Sequence, residues 1–94
     1  TTAGTGAETD STAMVTDTER TMKLCVWHPE LKPALALLDP EITLGLPRDL
    51  TAWTGLDAMV HAIEAYCVAD DNPVCDRFAL QALGLIHIWL RTAV

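Results

Sequence analysis

The chain has 94 residues, of which 50% are hydrophobic and 20% are charged, a composition that is typical of a folded globular protein and excludes a disordered chain. Its formal net charge is -7, from 13 acidic and 6 basic residues. Without a cluster of Lys or Arg, this charge argues against nucleic acid and anionic membranes as partners. Three cysteines without a CxxC spacing predict neither a disulfide framework nor a zinc knuckle, so a reducing cytoplasm is the expected compartment.

The first half of the chain is predicted to form a loop followed by short strands. Residues 1–12 are mainly Thr, Gly, Ser and acids, which is typical of a loop. Residues 13–16 and 22–27 are β-compatible runs on either side of a polar turn, and they predict a hairpin. The apolar run at 34–38 is bounded by prolines and predicts a short buried strand.

The second half is predicted to be helical. From Pro47 onward the hydrophobic period changes from two towards 3.6 residues, which predicts helices and a domain junction near Leu46. Asn72 stands before Pro73, the pattern of a helix N-cap followed by proline at the first helical position. A second helix is therefore expected from Pro73 to Arg91. No stretch reaches the roughly 20 apolar residues that a bilayer span requires.

The sequence GLDAMVHAIEAY, residues 55–66, predicts a helix with no ordinary solvated face. On a helical wheel, its side chains form a broad apolar sector, a narrow polar stripe and a sector of small residues. The small residues are Gly55, Ala58, Ala62 and Ala65, and the stripe contains Thr54, Asp57, His61 and Glu64. We expect the helix to be packed on at least two sides, with the polar stripe facing a crevice.

The polar stripe contains a candidate metal site. Asp57 and His61 are four residues apart, so a carboxylate oxygen and an imidazole nitrogen can approach one cation, and Glu64 could orient the pair. Such a pair is more often a surface ion pair or a core histidine, but this helix offers little surface for the first. Two ligands do not complete a site. His28 fits a loop and His87 a core or boundary position, so the missing ligands are expected elsewhere.

Several short sequence motifs follow one another along the chain. They are TTAGTG with Glu8, MVTD at 14–17, Lys23, LLDPEITLGLP at 37–47, and LTAWTGLDAMVHAIEAY at 50–66. Together they resemble the iron-containing (group III) alcohol dehydrogenase family, and the pattern TAxTGxDAxxHAxEAY is the most specific of them.

The resemblance implies the fold class and the domain organisation. The chain would be an α/β junction fragment. Residues 1–46 would form the end of a Rossmann-like dinucleotide-binding domain, and residues 47–94 the first helices of an all-α metal-binding domain, with a dehydroquinate synthase-like fold in the parent. A start without Met or a leader-like segment also leads us to expect an internal fragment.

The resemblance also implies an activity: hydride transfer between a primary or secondary alcohol, or an aldehyde, and NAD or NADP. Asp57 and His61 match two of the family's four metal ligands, for Fe2+ or alternatively Zn2+ or another divalent metal. The cofactor-binding positions that match are Thr1, Thr2, Thr5 and Lys23. No residue is predicted to be a general base. Asp10 and Trp53 depart from the pattern, and Asp10 would place negative charge near a polyphosphate.

Two other interpretations remain open at this stage. The isolated chain could be a non-catalytic, partly folded helical piece that lacks a complete metal site and packs on the remainder of the parent polypeptide. It could also be an unrelated small α/β binding module with a coincidental D-x-x-x-H pattern. The expected partners are a small alcohol or aldehyde and the rest of the parent, and a homo-oligomer is possible.

Overall fold

In the computed structural model, which describes residues 3–94, a β-hairpin precedes two long helices. The chain contacts define two units. The hairpin unit is Gly6–Asp39, and the helical unit consists of residues 3–5 together with Pro40–Val94. Strands before helices is the order expected for an α/β segment that continues into a helical one. The boundary predicted at 46/47 refers to a longer protein and stays a prediction.

The predicted hairpin is confirmed. Strand β1, Thr12–Asp17, pairs antiparallel with strand β2, Met22–Trp27. The Asp17 side chain closes the turn, because its Oδ1 accepts hydrogen bonds from the backbone N–H of Glu19 at 3.0 Å and of Arg20 at 3.1 Å. This is the local side-chain bonding that favours Asp at turns. The turn is therefore encoded by adjacent residues.

Short 3₁₀ helices flank the hairpin. Ala7–Thr9 lies within the predicted first loop, and Pro29–Leu31 follows the second strand. The backbone N–H of His28 donates to the Ser11 carbonyl at 3.2 Å, which extends the strand pairing by one residue. Its Nδ1 accepts a hydrogen bond from the Glu30 N–H at 3.2 Å. His28, predicted to be a loop residue, thus caps a helical turn.

The buried strand predicted at residues 34–38 is wrong. These residues adopt no strand, and their leucines are largely exposed, with Leu37 at 89%. A strand requires a neighbour for its backbone hydrogen bonds. Within residues 3–94 the sheet consists of β1 and β2, which pair with each other. The bounding prolines also lack the N–H that a ladder needs.

Both predicted helices are confirmed. Helix α1 spans Arg48–Cys67 and helix α2 spans Pro73–Ala93. The Asn72 side chain accepts a hydrogen bond from the Cys75 N–H at 3.2 Å, so the predicted N-cap is formed. Among residues 3–94, no helix is both long and apolar enough to cross a membrane.

The two helices pack antiparallel through small residues. Gly55, in the first half of α1, contacts Leu90, near the end of α2, and a Cβ at position 55 would overlap the leucine side chain. Ala62 and Ala79 are the buried residues of the described chain. The small-residue sector of α1 thus permits the close approach of another helix, as predicted.

The broad apolar sector of α1 is not covered. Trp53, Leu56, Val60, Ile63 and Tyr66 are all exposed, by 45% or more. The prediction that α1 has no solvated face is therefore wrong for this chain. In the helical unit, α2 packs on the small residues and residues 3–5 lie against the polar stripe, and neither covers the apolar sector.

Candidate metal and dinucleotide site

Helix α1 places Asp57 and His61 one turn apart on the same face. Asp57 Oδ1 lies 3.6 Å from His61 Nε2. Oxygen and nitrogen ligands at about 2.0–2.2 Å from one zinc-like ion lie roughly 3–3.5 Å apart, so a small side-chain rotation brings both atoms onto one ion. The side chains are 42% and 46% exposed, which leaves them open to an incoming ion. The donor atoms thus fit two positions of a divalent-metal site.

Glu64 lies on the other side of the imidazole. Its Oε2 is 3.9 Å from His61 Nδ1, beyond hydrogen-bond distance, and its side chain is 69% exposed. A metal-bound histidine commonly donates its second ring N–H to a carboxylate, which fixes the tautomer. Glu64 is therefore placed to orient His61 after a modest side-chain movement.

The loop at the start of the chain reaches this stripe. The hydroxyl of Thr5 donates a hydrogen bond to Asp57 Oδ2 at 2.7 Å. At Gly4 the approach is so close that a Cβ would lie 2.7 Å from the same oxygen and 2.7 Å from the Thr54 carbonyl oxygen. This contact was not predicted from the sequence. Its signal was the glycine, which permits close backbone approach.

None of the other predicted cofactor positions belongs to the described part of the helical unit. Thr1 and Thr2 lie outside the described residues. Lys23 is an exposed residue of the hairpin unit, on β2 opposite Thr16. Asp10 accepts a hydrogen bond from its neighbour's backbone N–H at 2.6 Å, which is a local contact. Within the described part of the helical unit, Thr5, Asp57 and His61 come together.

The described residues do not add a third metal ligand to Asp57 and His61. Within residues 3–94, no group of three or more His, Cys, Asp or Glu side chains is arranged to hold a metal ion. Within residues 3–94, His87 is exposed on α2, so its predicted core or boundary position is wrong. The exposed cysteines, all free, are Cys25, Cys67 and Cys75.

A small cleft opens next to the loop, within the helical unit. Its volume is about 190 Å³, below the roughly 300 Å³ at which drug-sized ligand pockets begin. A cleft of this volume is too small to enclose a whole dinucleotide. The lining residues are Ala3, Thr43, Leu46, Thr51, Thr54, Gly55 and Leu90.

Two family profiles match the chain in succession. The profile of the iron-containing alcohol dehydrogenases matches residues 1–40. The profile of the C-terminal part of the Fe-containing alcohol dehydrogenase family matches residues 51–94. Together they cover Thr1, Thr2 and Thr5 as well as Asp57 and His61.

Known proteins resemble the chain over its whole length. It is 48% identical over 94 residues to the NAD-dependent methanol dehydrogenase of Bacillus methanolicus, covering 100% of this chain and 25% of that protein. The 1,3-propanediol dehydrogenase of Klebsiella pneumoniae is 44% identical, with 100% and 24% covered. A crystal structure of sulfoacetaldehyde reductase from Bifidobacterium kashiwanohense in complex with NAD+ superposes with a TM-score of 0.92 at 34% identity, over 99% of this chain and 25% of that one. The chain thus spans about a quarter of the length of these relatives.

Proposed function

The chain belongs to the iron-containing alcohol dehydrogenase family, and from that premise we propose that it is part of a metal-dependent enzyme that transfers hydride between an alcohol or aldehyde and NAD(P). The observation that carries the proposal is the grouping of Thr5, Asp57 and His61 in the helical unit. There Thr5, which the family resemblance assigns to the dinucleotide, donates a hydrogen bond to Asp57, and Asp57 faces the imidazole of His61.

Asp57 and His61 would hold the metal through Oδ1 and Nε2. A hard carboxylate oxygen and a neutral imidazole nitrogen form a mixed donor set that suits Fe2+, with Zn2+ and other divalent metals as alternatives. When bound, the metal supplies a Lewis acid that lowers the pKa of an alcohol hydroxyl. The remaining ligands would come from parts of the polypeptide beyond these residues.

The dinucleotide would be held by Thr1, Thr2, Thr5 and Lys23. Hydroxyls and backbone N–H groups suit phosphate and ribose oxygens, and they fix the distance over which hydride passes. The methanol dehydrogenase relative is named NAD-dependent, and the sulfoacetaldehyde reductase was crystallised with NAD+. NAD is therefore the cofactor that we propose first.

In the whole protein, residues 1–46 would complete a Rossmann-like domain, and residues 47–94 would begin the helical domain of a dehydroquinate synthase-like fold. The uncovered apolar sector of α1 supports this, since such a surface requires further packing partners. We propose that the enzyme works in the cytoplasm. A small alcohol or aldehyde would be its substrate.

The second candidate concerns the 94-residue chain by itself. It would then be a non-catalytic helical piece with half of a metal site. The exposure of Asp57 and His61 and of the apolar sector of α1 favours it, because a working site excludes water around the reacting atoms.

The proposal is tested in the full-length enzyme that carries this sequence. Asp57→Ala and His61→Ala should each lose bound metal and alcohol-dependent NADH formation together. Lys23→Ala should raise the KM for the dinucleotide with metal content unchanged. Metal content is measured by elemental analysis of the purified proteins.

Two matched controls come from the same helices. Asp49→Ala removes an exposed carboxylate from the first turn of α1, and His87→Ala removes an exposed imidazole from α2. Both should retain metal. Unchanged metal content in Asp57→Ala would refute the ligand assignment, and metal loss in Lys23→Ala would refute the assignment of Lys23 to the dinucleotide.

A further inference from the structure

We propose that Thr5 is a positioning residue for Asp57: its hydroxyl holds one carboxylate oxygen so that the other faces His61. This rests on the proposed function, because it gives a role to the neighbour of a proposed metal ligand. It assigns to Thr5 a second task besides the dinucleotide contact that the family resemblance implies.

The two oxygens of Asp57 have different partners. Oδ2 accepts the Thr5 hydroxyl at 2.7 Å, whereas Oδ1 lies 3.6 Å from His61 Nε2. A hydroxyl bonded to an ionised carboxylate at such a distance forms a strong, charge-assisted hydrogen bond. It restricts rotation of the carboxylate. One oxygen is thereby committed to the loop and the other is presented to the cation.

Gly4 provides the second observation. Its missing side chain lets the loop backbone approach until a Cβ would lie 2.7 Å from Asp57 Oδ2 and from the Thr54 carbonyl oxygen. At that approach Thr5 reaches the carboxylate. Thr54 does not compete, because its own hydroxyl donates to the Leu50 carbonyl at 2.8 Å.

The hydrogen bond from Thr5 to Asp57 connects the dinucleotide with the metal, which are the two cofactors that the proposed enzyme binds besides its substrate. Residues 3–5 follow directly on Thr1 and Thr2 in the dinucleotide loop, so a change in the loop alters the orientation of Asp57. By linkage, dinucleotide and metal must then influence each other's affinity equally. Metal binding is accordingly best measured with no dinucleotide present.

The experiment compares Thr5→Val, which keeps the shape and removes the hydroxyl, with Thr5→Ser, which keeps the hydroxyl. Both are made in the full-length enzyme after removal of its metal, and Co2+ is the probe. Its Kd is measured by competition with a chelator, and its visible absorption reports the ligand geometry. Since changes beside a metal ligand typically weaken binding by about 10–100-fold and this bond is exposed, we expect about tenfold for Thr5→Val. Thr5→Ser should bind Co2+ nearly as the unchanged enzyme does.

Thr9→Val is the matched control. The Thr9 hydroxyl donates to the Gly6 carbonyl at 2.9 Å, so the variant loses a threonine hydroxyl and a local hydrogen bond without involving Asp57. Its Co2+ affinity and absorption spectrum should not change. Far-ultraviolet ellipticity of every variant establishes that the fold is retained. If Thr5→Val loses ellipticity, Thr5→Ala replaces it, and the same loss of affinity is expected.

The outcomes separate this inference from the proposed function. If Thr5→Val leaves the Co2+ Kd and spectrum unchanged but weakens dinucleotide binding, Thr5 is a cofactor contact only, and the inference is overturned while the proposed function stands. If Asp57→Ala also binds Co2+ as the unchanged enzyme does, the ligand assignment fails, and the role of Thr5 falls with it.

Discussion

The hairpin unit and the helical unit are stabilised in different ways. In the hairpin unit, a backbone ladder and a closed turn hold two strands, and none of the residues in Gly6–Asp39 is buried. In the helical unit, α1 and α2 pack on each other and bury Ala62 and Ala79. An isolated two-stranded hairpin is marginally stable at best in water. The candidate metal ligands therefore lie on the unit that has a packed interface of its own.

Among the substitutions that test this difference between the units, Gly55→Val should have the largest effect, because it should destabilise the helical unit. The new side chain would overlap Leu90 and force α2 away from α1, and overpacking of this kind typically costs about 1–3 kcal/mol. The melting of the far-ultraviolet ellipticity should shift to lower temperature. Gly84→Ala is the control, because a Cβ there meets nothing within 4 Å, and alanine favours the helix by up to about 1 kcal/mol. Equal melting of the two variants would show that the helix interface contributes nothing.

A smaller loss is expected when the start of α2 is weakened. Asn72→Ala removes the acceptor for the Cys75 N–H, and the loss of an N-cap typically costs about 1 kcal/mol of stability. Hydrogen exchange of the Cys75 amide should become faster. Asn72→Asp keeps a capping oxygen and should behave like the unchanged chain. If the exchange rate in Asn72→Ala is not raised, the cap does not stabilise α2.

The smallest effect is expected in the hairpin turn. Asp17→Ala removes two hydrogen bonds to the turn backbone, but the site is on the surface, where one bond contributes about 0.5 kcal/mol at the low end of the usual range. Nuclear Overhauser effects between the paired residues Met14 and Cys25 should become weaker. Asp17→Asn, which preserves the turn acceptor, should restore them. Undiminished signals in Asp17→Ala would mean that the ladder alone holds the hairpin.

Local signals in the sequence predicted the elements well, and non-local packing explains the failures. The hairpin turn at Asp17 and the cap at Asn72 depend on residues within three positions, so the sequence contains all that they need. The strand predicted at 34–38 and the covered apolar sector of α1 depend on partners that are distant along the chain. A strongly apolar pattern therefore indicated a need for packing that residues 3–94 do not meet.

The candidate site shows the same contrast between local patterns, which the sequence reveals, and long-range contacts, which it does not. Spacing alone placed Asp57 and His61 on one face of a helix, and the structure has them 3.6 Å apart there. The family resemblance pointed to Thr5 and Asp57 separately, one for the dinucleotide and one for the metal. Their hydrogen bond joins residues 52 positions apart, and no pattern within a helix or a loop contains that information.

The separation of Thr5 from Asp57 has a consequence for the order of folding. The entropy lost on closing a loop increases with its length, and the turn between α1 and α2 is far shorter than the segment of 52 positions between Thr5 and Asp57. We expect α1 and α2 to assemble first and residues 3–5 to dock on α1 afterwards. Refolding monitored by helical ellipticity would then be complete before the Asp57 carboxylate has acquired its final orientation.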